Sequence, residues 1–281
     1  MKTKEELIDS LIDLAFAEDI GDGDHTTLST IPADAMGRQH LLVKEEGILA
    51  GVDVARRVFE RFDPLLRMTV MIGDGKHVKP GDIAFVVEGP VRSLLQTERT
   101  MLNIMQRMSG IATMTARYQE RLSGLKAKVL DTRKTTPGMR ILEKEGVRLG
   151  GGANHRMGLF DMILIKDNHV DFAGGIPQAV SRAKEYLKSR GKDLKIEVEV
   201  RNTAEIDQAL EAGVDRIMLD NFTPERTAEA VSRIAGRAEI ESSGGITLDT
   251  LRSYGEAGVD FISVGALTHS VKGLDMSFKA C

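Results

Sequence analysis

At 281 residues the chain can hold a barrel-sized domain and a smaller one, and 28 Gly and 7 Pro beside 42% apolar residues mark a globular rather than fibrous or disordered protein. A net charge of −4 gives no general reason to bind nucleic acid, and the single cysteine, Cys281, excludes a disulfide framework and a thiolate metal site. No signal-peptide pattern and no apolar run of membrane-spanning length occur, so a reducing, cytoplasmic setting is expected.

The spacing of Leu7, Ile8, Leu11, Ile12, Leu14 and Ala15 predicts a docking helix over 5–17. A loop follows over 18–27, where Asp24 and its neighbours are expected to cap and turn, because calcium-loop ligand spacing is absent. Short apolar runs at 41–43, 48–50, 68–72 and 83–87, divided by turn residues, predict strands of a small sheet with one helix at 54–62. Residues 93–123 then read as a long helix whose methionines are core filler, with Gly110 marking a break or a close crossing.

After Gly124 apolar runs alternate with helical stretches, the mark of a parallel sheet. Six runs stand at 129–130, 162–165, 196–200, 216–219, 238–240 and 261–264, and the repeated EAGVD strings at 211–215 and 256–260 support regular βα units. Such regularity suits a barrel, with fewer than eight strands allowed. The runs end on Asp131 and Arg133, Lys166, Glu199, Asp220, Glu241 to Ser243, and Gly265. Polar residues at the carboxyl ends of successive parallel strands converge on one mouth, where barrel enzymes keep their active sites.

Arg133, Lys134, His155, Arg156 and Lys166 would form a cationic wall for a ligand with more than one carboxylate or phosphate. Glu199 and Asp220 are too sparse for a metal cage but sufficient for a hydrated magnesium ion that also holds substrate phosphates. Short glycine loops at 242–245 and 264–266, the latter near His269, would cradle a phosphate. Arg140, Lys144 and Arg148 read as a solvated helix face, with an interface role left open.

The strings DTRKTTPG, GGGANHRMGL, LIKDNH, IEVEV, IMLDNF, ESSGGI and SVGALTHS, in this order, resemble the quinolinate phosphoribosyltransferases, and the likeness runs nearly the whole chain. The resemblance implies an α/β fold: a smaller N-terminal α/β sandwich domain (1–115), an incomplete TIM-like barrel of about six or seven parallel strands (116–268), and a C-terminal segment (269–281) packing back on the first domain. It implies transfer of the phosphoribosyl group of 5-phosphoribosyl 1-pyrophosphate to quinolinate with decarboxylation, with Mg2+. Arg133, His155, Arg156 and Lys166 match the quinolinate wall, and Arg99 matches an arginine donated across a homodimer whose further assembly to a hexamer is left open. Lys134, Glu199, Asp220, Ser243, Gly244, Gly245, Gly265, Ala266 and His269 match residues around phosphoribosyl pyrophosphate. Lys166, Glu199 and Asp220 are carried over as catalytic. His25 and Gly146 depart from the family's usual residues, away from the wall. A molybdenum-associated sister group and a non-catalytic binder of pyridine dicarboxylates are the alternatives; the complete LIKDNH segment favours quinolinate.

Overall fold

The structure, a computed structural model, describes residues 2–281. The chain divides into two compact units, one of Met1–Ala116, Thr135–Gly151 and Ala266–Cys281, the other of Arg117–Lys134 and Gly152–Gly265. Residues 135–151 and 266–268, placed by sequence within the barrel block, thus group with the first unit.

In the first unit, α1 (Lys4–Ile20) starts at a capping box in which Thr3 Oγ1 accepts from Glu6 N–H and Glu6 accepts from Thr3 N–H. Its docked face is narrower than expected: Ile8 and Ile12 are buried, whereas Leu7 and Leu14 are exposed. The helix extends through Glu18, Asp19 and Ile20, which the sequence assigned to a loop, and α2 (His25–Thr30) begins where that loop was expected to continue. Asp24 caps α2 by accepting from Thr27 N–H at 3.0 Å. Strands β1 (Met36–Val43), β2 (Gly47–Ile48), β3 (Arg67–Val70), β4 (His77–Val78) and β5 (Ile83–Pro90) follow, with α3 (Val52–Phe62) between β2 and β3. The chain's last strand, β12 (Met276–Ala280), pairs antiparallel with β1, giving a four-stranded sheet of order β12-β1-β5-β3; β2 and β4 form a separate pair.

Helix α4 (Val91–Arg121) runs unbroken through Gly110. That glycine marks a close approach instead, because an added Cβ would stand 2.2 Å from the Lys272 carbonyl oxygen. Met101, Met105 and Met108 join Leu41, Phe59 and Phe85 in the core, as expected of flexible fillers. Helix α5 (Arg140–Leu149) corrects one expectation: Lys144 is 1% exposed and Glu143 fully buried, so the turn bearing Arg140 and Lys144 is not a solvated face. The cause is the closeness of α4, whose Met108 carbonyl lies 2.9 Å from where a Gly146 Cβ would be, and Arg107 of α4 reaches Glu143 at 2.8 Å.

The second unit holds β6 (Lys128–Leu130), β7 (Ile163–Ile165), β8 (Ile196–Val200), β9 (Arg216–Asp220), β10 (Glu239–Ser243) and β11 (Phe261–Ser263). They form one parallel sheet of order β6-β11-β10-β9-β8-β7, the six runs anticipated from sequence. Leu130 also bridges to Ala153, so the 152–155 stretch lies beside β6 as a rudimentary further strand. Helices α6 (Asp167–Ala173), α7 (Ile176–Arg190), α8 (Thr203–Ala212), α9 (Pro224–Ile234) and α10 (Leu251–Glu256) belong to this unit, while the short α11 (Ala266–His269) belongs to the first. The fold is thus α/β, with a parallel barrel-like sheet in the second unit and an antiparallel sheet with helices in the first.

Candidate active site

Strand register decides which side chains share a face, because alternate residues point the same way. Glu197 pairs with Arg216 and Glu199 with Met218; Glu239, Glu241 and Ser243 pair with Arg216, Met218 and Asp220; Leu164 pairs with Glu197. One face of the sheet therefore carries, from its amino to its carboxyl end, Arg216 with Glu197 and Glu239, then Glu199 with Glu241, then Asp220 with Ser243. Arg216 is buried, lies 4.2 Å above the Phe261 ring centroid and reaches Glu239 at 2.9 Å and Glu241 at 3.4 Å.

At the carboxyl end of this face Arg133, Lys134, His155, Arg156, Lys166 and Ser243 line one cavity of about 270 Å³, whose apolar lining includes Leu164 and Met218. Asp131, fully buried after β6, builds the turn that delivers two of these side chains. Its Oδ1 accepts from His155 N–H at 2.9 Å and its Oδ2 from the Asn154 side-chain amide at 2.5 Å. Lys166, following β7, reaches Glu199 Oε2 at 2.5 Å. Burial lowers the Arg156 guanidinium from its ordinary pKa, and the Arg133 charge lowers it further. A half-buried cation held beside an exposed one is the electrostatic signature of an anion site.

His155 lines the cavity with both ring nitrogens facing protein groups. Its Nδ1 accepts from Arg156 N–H at 2.6 Å, and its Nε2 stands 3.0 Å from Glu197 Oε2 and 3.5 Å from Glu241 Oε2. Glu197 and Glu241 are pushed upward from the usual carboxylate range, chiefly by burial and, at Glu241, by its carboxylate neighbour. Sequence reading missed Glu197 and Arg216 as members of the site and took Glu241 only as a strand end. The usable signal was the alternation in IEVEV: an acid at every second position of a buried strand must face the interior.

Asp220 ends β9 and accepts from the Asn221 side-chain amide at 2.9 Å. Asn221 has φ 55°, an uncommon left-handed conformation, and its backbone N–H donates to Ser243 O. Gly244, at φ 109°, lies so near Asn221 that a Cβ would stand 2.2 Å from its Oδ1, so only glycine fits this turn. Gly245 and Gly265 follow β10 and β11 in the same unit. Arg99, Ala266 and His269 belong to the first unit, where Arg99, exposed on α4, lines a different cavity with Asn103, Arg107 and Glu18.

Profiles of the quinolinate phosphoribosyl transferase N-terminal and C-terminal domains match residues 24–109 and 111–279. A quinolinate phosphoribosyltransferase [decarboxylating] of Nicotiana tabacum is 45% identical, over 96% of this chain and 81% of that protein. A probable nicotinate-nucleotide pyrophosphorylase [carboxylating] of Bacillus subtilis is 41% identical, over 95% and 91% of the two chains. The solved nicotinate-nucleotide pyrophosphorylase of Francisella tularensis superposes with a TM-score of 0.93 at 40% identity, over 100% of this chain and 98% of that one. With both domain profiles together spanning nearly the whole length, and with relatives of this identity, the chain belongs to the quinolinate phosphoribosyltransferase family.

Proposed function

We propose that the strand-end cavity binds quinolinate beside 5-phosphoribosyl 1-pyrophosphate, and that the chain is a pentosyltransferase forming nicotinate mononucleotide, pyrophosphate and carbon dioxide in NAD biosynthesis. The observation that carries this reading is the convergence of Arg133, Arg156 and Lys166 on one small cavity with apolar lining. An aromatic dicarboxylate satisfies both halves of such a lining. The ring of His155 serves this pocket as wall and support rather than as a further cation.

Glu199 and Asp220 follow on one face at neighbouring strand ends, and their hard oxygen donors suit a hydrated magnesium ion. Bound there, magnesium would offset the charge of the departing pyrophosphate. The turn at Ser243, Gly244 and Gly245, with Gly265, would take the 5′-phosphate through backbone N–H groups, and Lys134 would approach the pyrophosphate. The ring nitrogen of quinolinate attacks the anomeric carbon as the C–O bond to pyrophosphate breaks. The alkylated, positively charged ring then keeps the electron pair at C2 when carbon dioxide leaves, and C2 takes a proton. Positioning and fixed charge supply most of the rate, with no covalent enzyme intermediate required.

Arg99, exposed on α4, would be donated to the cavity of a second copy, making the active protein a homodimer with shared sites. No helix among the described residues is long and apolar enough to cross a membrane, and a cytoplasmic location is part of this proposal. Substrate discrimination tests the assignment. Quinolinate should be turned over and nicotinate rejected by at least about 10²-fold in kcat/KM, because one carboxylate leaves a desolvated cation unpaired. Equal turnover of nicotinate would refute the dicarboxylate pocket.

A further inference from the structure

At the floor of the cavity, which Glu241 helps to line, lies a buried group that the reaction above does not use. Glu197 and Glu241 are both 0% exposed, and Glu197 Oε1, Glu197 Oε2 and Glu241 Oε1 have no hydrogen-bond partner among the described residues. Buried carboxylate oxygens left this way call for a physical reason. The groups facing them are His155 Nε2 at 3.0 and 3.5 Å, Arg216 Nη1 at 3.4 Å from Glu241, and the charges of Arg156 and Lys166 nearby. Together these contacts decide the state of the histidine. A backbone N–H can only donate, so Nδ1, which receives the Arg156 N–H at 2.6 Å, carries no proton. A neutral ring then carries its proton on Nε2, toward the carboxyl pair. From the other side, Asp131 Oδ1 holds the His155 N–H, so the turn is gripped at three points.

We propose that Glu197 and Glu241 are positioning residues that hold His155 as the neutral Nε2-protonated tautomer, and that this ring, through its Nδ1, fixes the backbone of Arg156 at the cavity wall. Glu197, which does not line the cavity, thus acts on substrate through two intermediaries, while Glu241 also forms part of the cavity lining. Its effect on catalysis rests on the reading that Arg156 meets a carboxylate of quinolinate; its effect on the histidine does not. Asp131 alone would leave the ring able to rotate about its side-chain bonds and release the Arg156 amide. The pair removes that freedom at the cost of two carboxyls out of water.

Nitrogen-15 NMR of the ligand-free protein, with the His155 signals assigned by their loss in His155→Gln, reads the tautomer directly. The expected result is a bare Nδ1 and a protonated Nε2 across pH 6–8. Glu197→Gln keeps a side-chain oxygen beside Nε2 and should preserve both the tautomer and the KM for quinolinate. Glu197→Leu removes the carboxyl that stands 3.0 Å from Nε2; it should mix the tautomers and raise the quinolinate KM roughly tenfold, leaving the KM for phosphoribosyl pyrophosphate within about twofold. An imidazolium or an Nδ1-protonated ring in the wild type overturns the proposal, whatever the variants do. So does a Glu197→Leu protein with the wild-type tautomer or quinolinate KM. A wild-type protein with the expected tautomer but no quinolinate turnover would instead sink the functional reading and leave the positioning of His155 standing.

Discussion

Replacing Arg156 with methionine separates the two things that side chain does. Its guanidinium is held partly out of water and beside Arg133, and both effects lower its pKa, so the ligand-free fold gains little from the charge. The contact of its Nη1 with the Met162 carbonyl is long at 3.4 Å, and methionine retains most of the apolar stem. The fold should therefore lose less than about 1 kcal/mol, and relief of like-charge repulsion can make the change stabilising. Binding behaves differently. A bidentate guanidinium–carboxylate contact contains two charge-assisted hydrogen bonds of about 1.5 kcal/mol or more each, so quinolinate affinity should fall by roughly 10²-fold. Calorimetric titration with quinolinate and a thermal scan of the same preparation measure both quantities. A Tm that falls by more than about 4 °C would make Arg156 a structural residue. An affinity change below about threefold would remove it from the wall.

Shared sites can be tested by mixing: Arg99→Ala and Arg156→Met proteins, each nearly inactive, should after subunit exchange recover about a quarter of wild-type activity, since half the dimers are hybrids with one intact site. No recovery despite exchange would place Arg99 outside the site. Gly110→Ala brings a methyl against the backbone of residues 272 and 273, with 2.2 Å to the Lys272 oxygen, and should lower Tm by roughly 3–10 °C; an unchanged Tm would contradict that packing. Burial raises Glu241 from 4.5 to about 8, so the folded state keeps a proton that the unfolded state has released, and this group's contribution to stability declines as pH rises from about 4.5 toward 8. Glu241→Gln should remove that decline, so the Tm difference, variant minus wild type, grows between pH 5 and pH 8; a pH-independent difference would refute the assignment.

The six parallel strands were legible because each is an apolar run with a polar end, and three of the residues at those ends, Arg133, Lys166 and Ser243, line the cavity. Residues whose role depends on a neighbour strand were not. Glu197 lies in mid-strand, and Arg216 opens a run that reads as apolar; only the register of β8, β9 and β10 shows that they share the face below His155. His155 could be read as a cation from its basic neighbours, but its state is set by Glu197 and Glu241, far away in sequence. Lys144 looked solvated from its helical spacing with Arg140 and Arg148, because nothing local announces that α4 passes within backbone contact at Gly146. Arg99 has no local signature of chemistry at all, and its assignment rests on family likeness.

The most direct test is a stoichiometry. With magnesium, phosphoribosyl pyrophosphate and quinolinate labelled in its 2-carboxylate, the purified protein should release labelled carbon dioxide, pyrophosphate and nicotinate mononucleotide in equal amounts, and none of the three once the divalent cation is chelated. Saturable quinolinate binding without carbon dioxide release would contradict the account, leaving a dicarboxylate binder on the same fold.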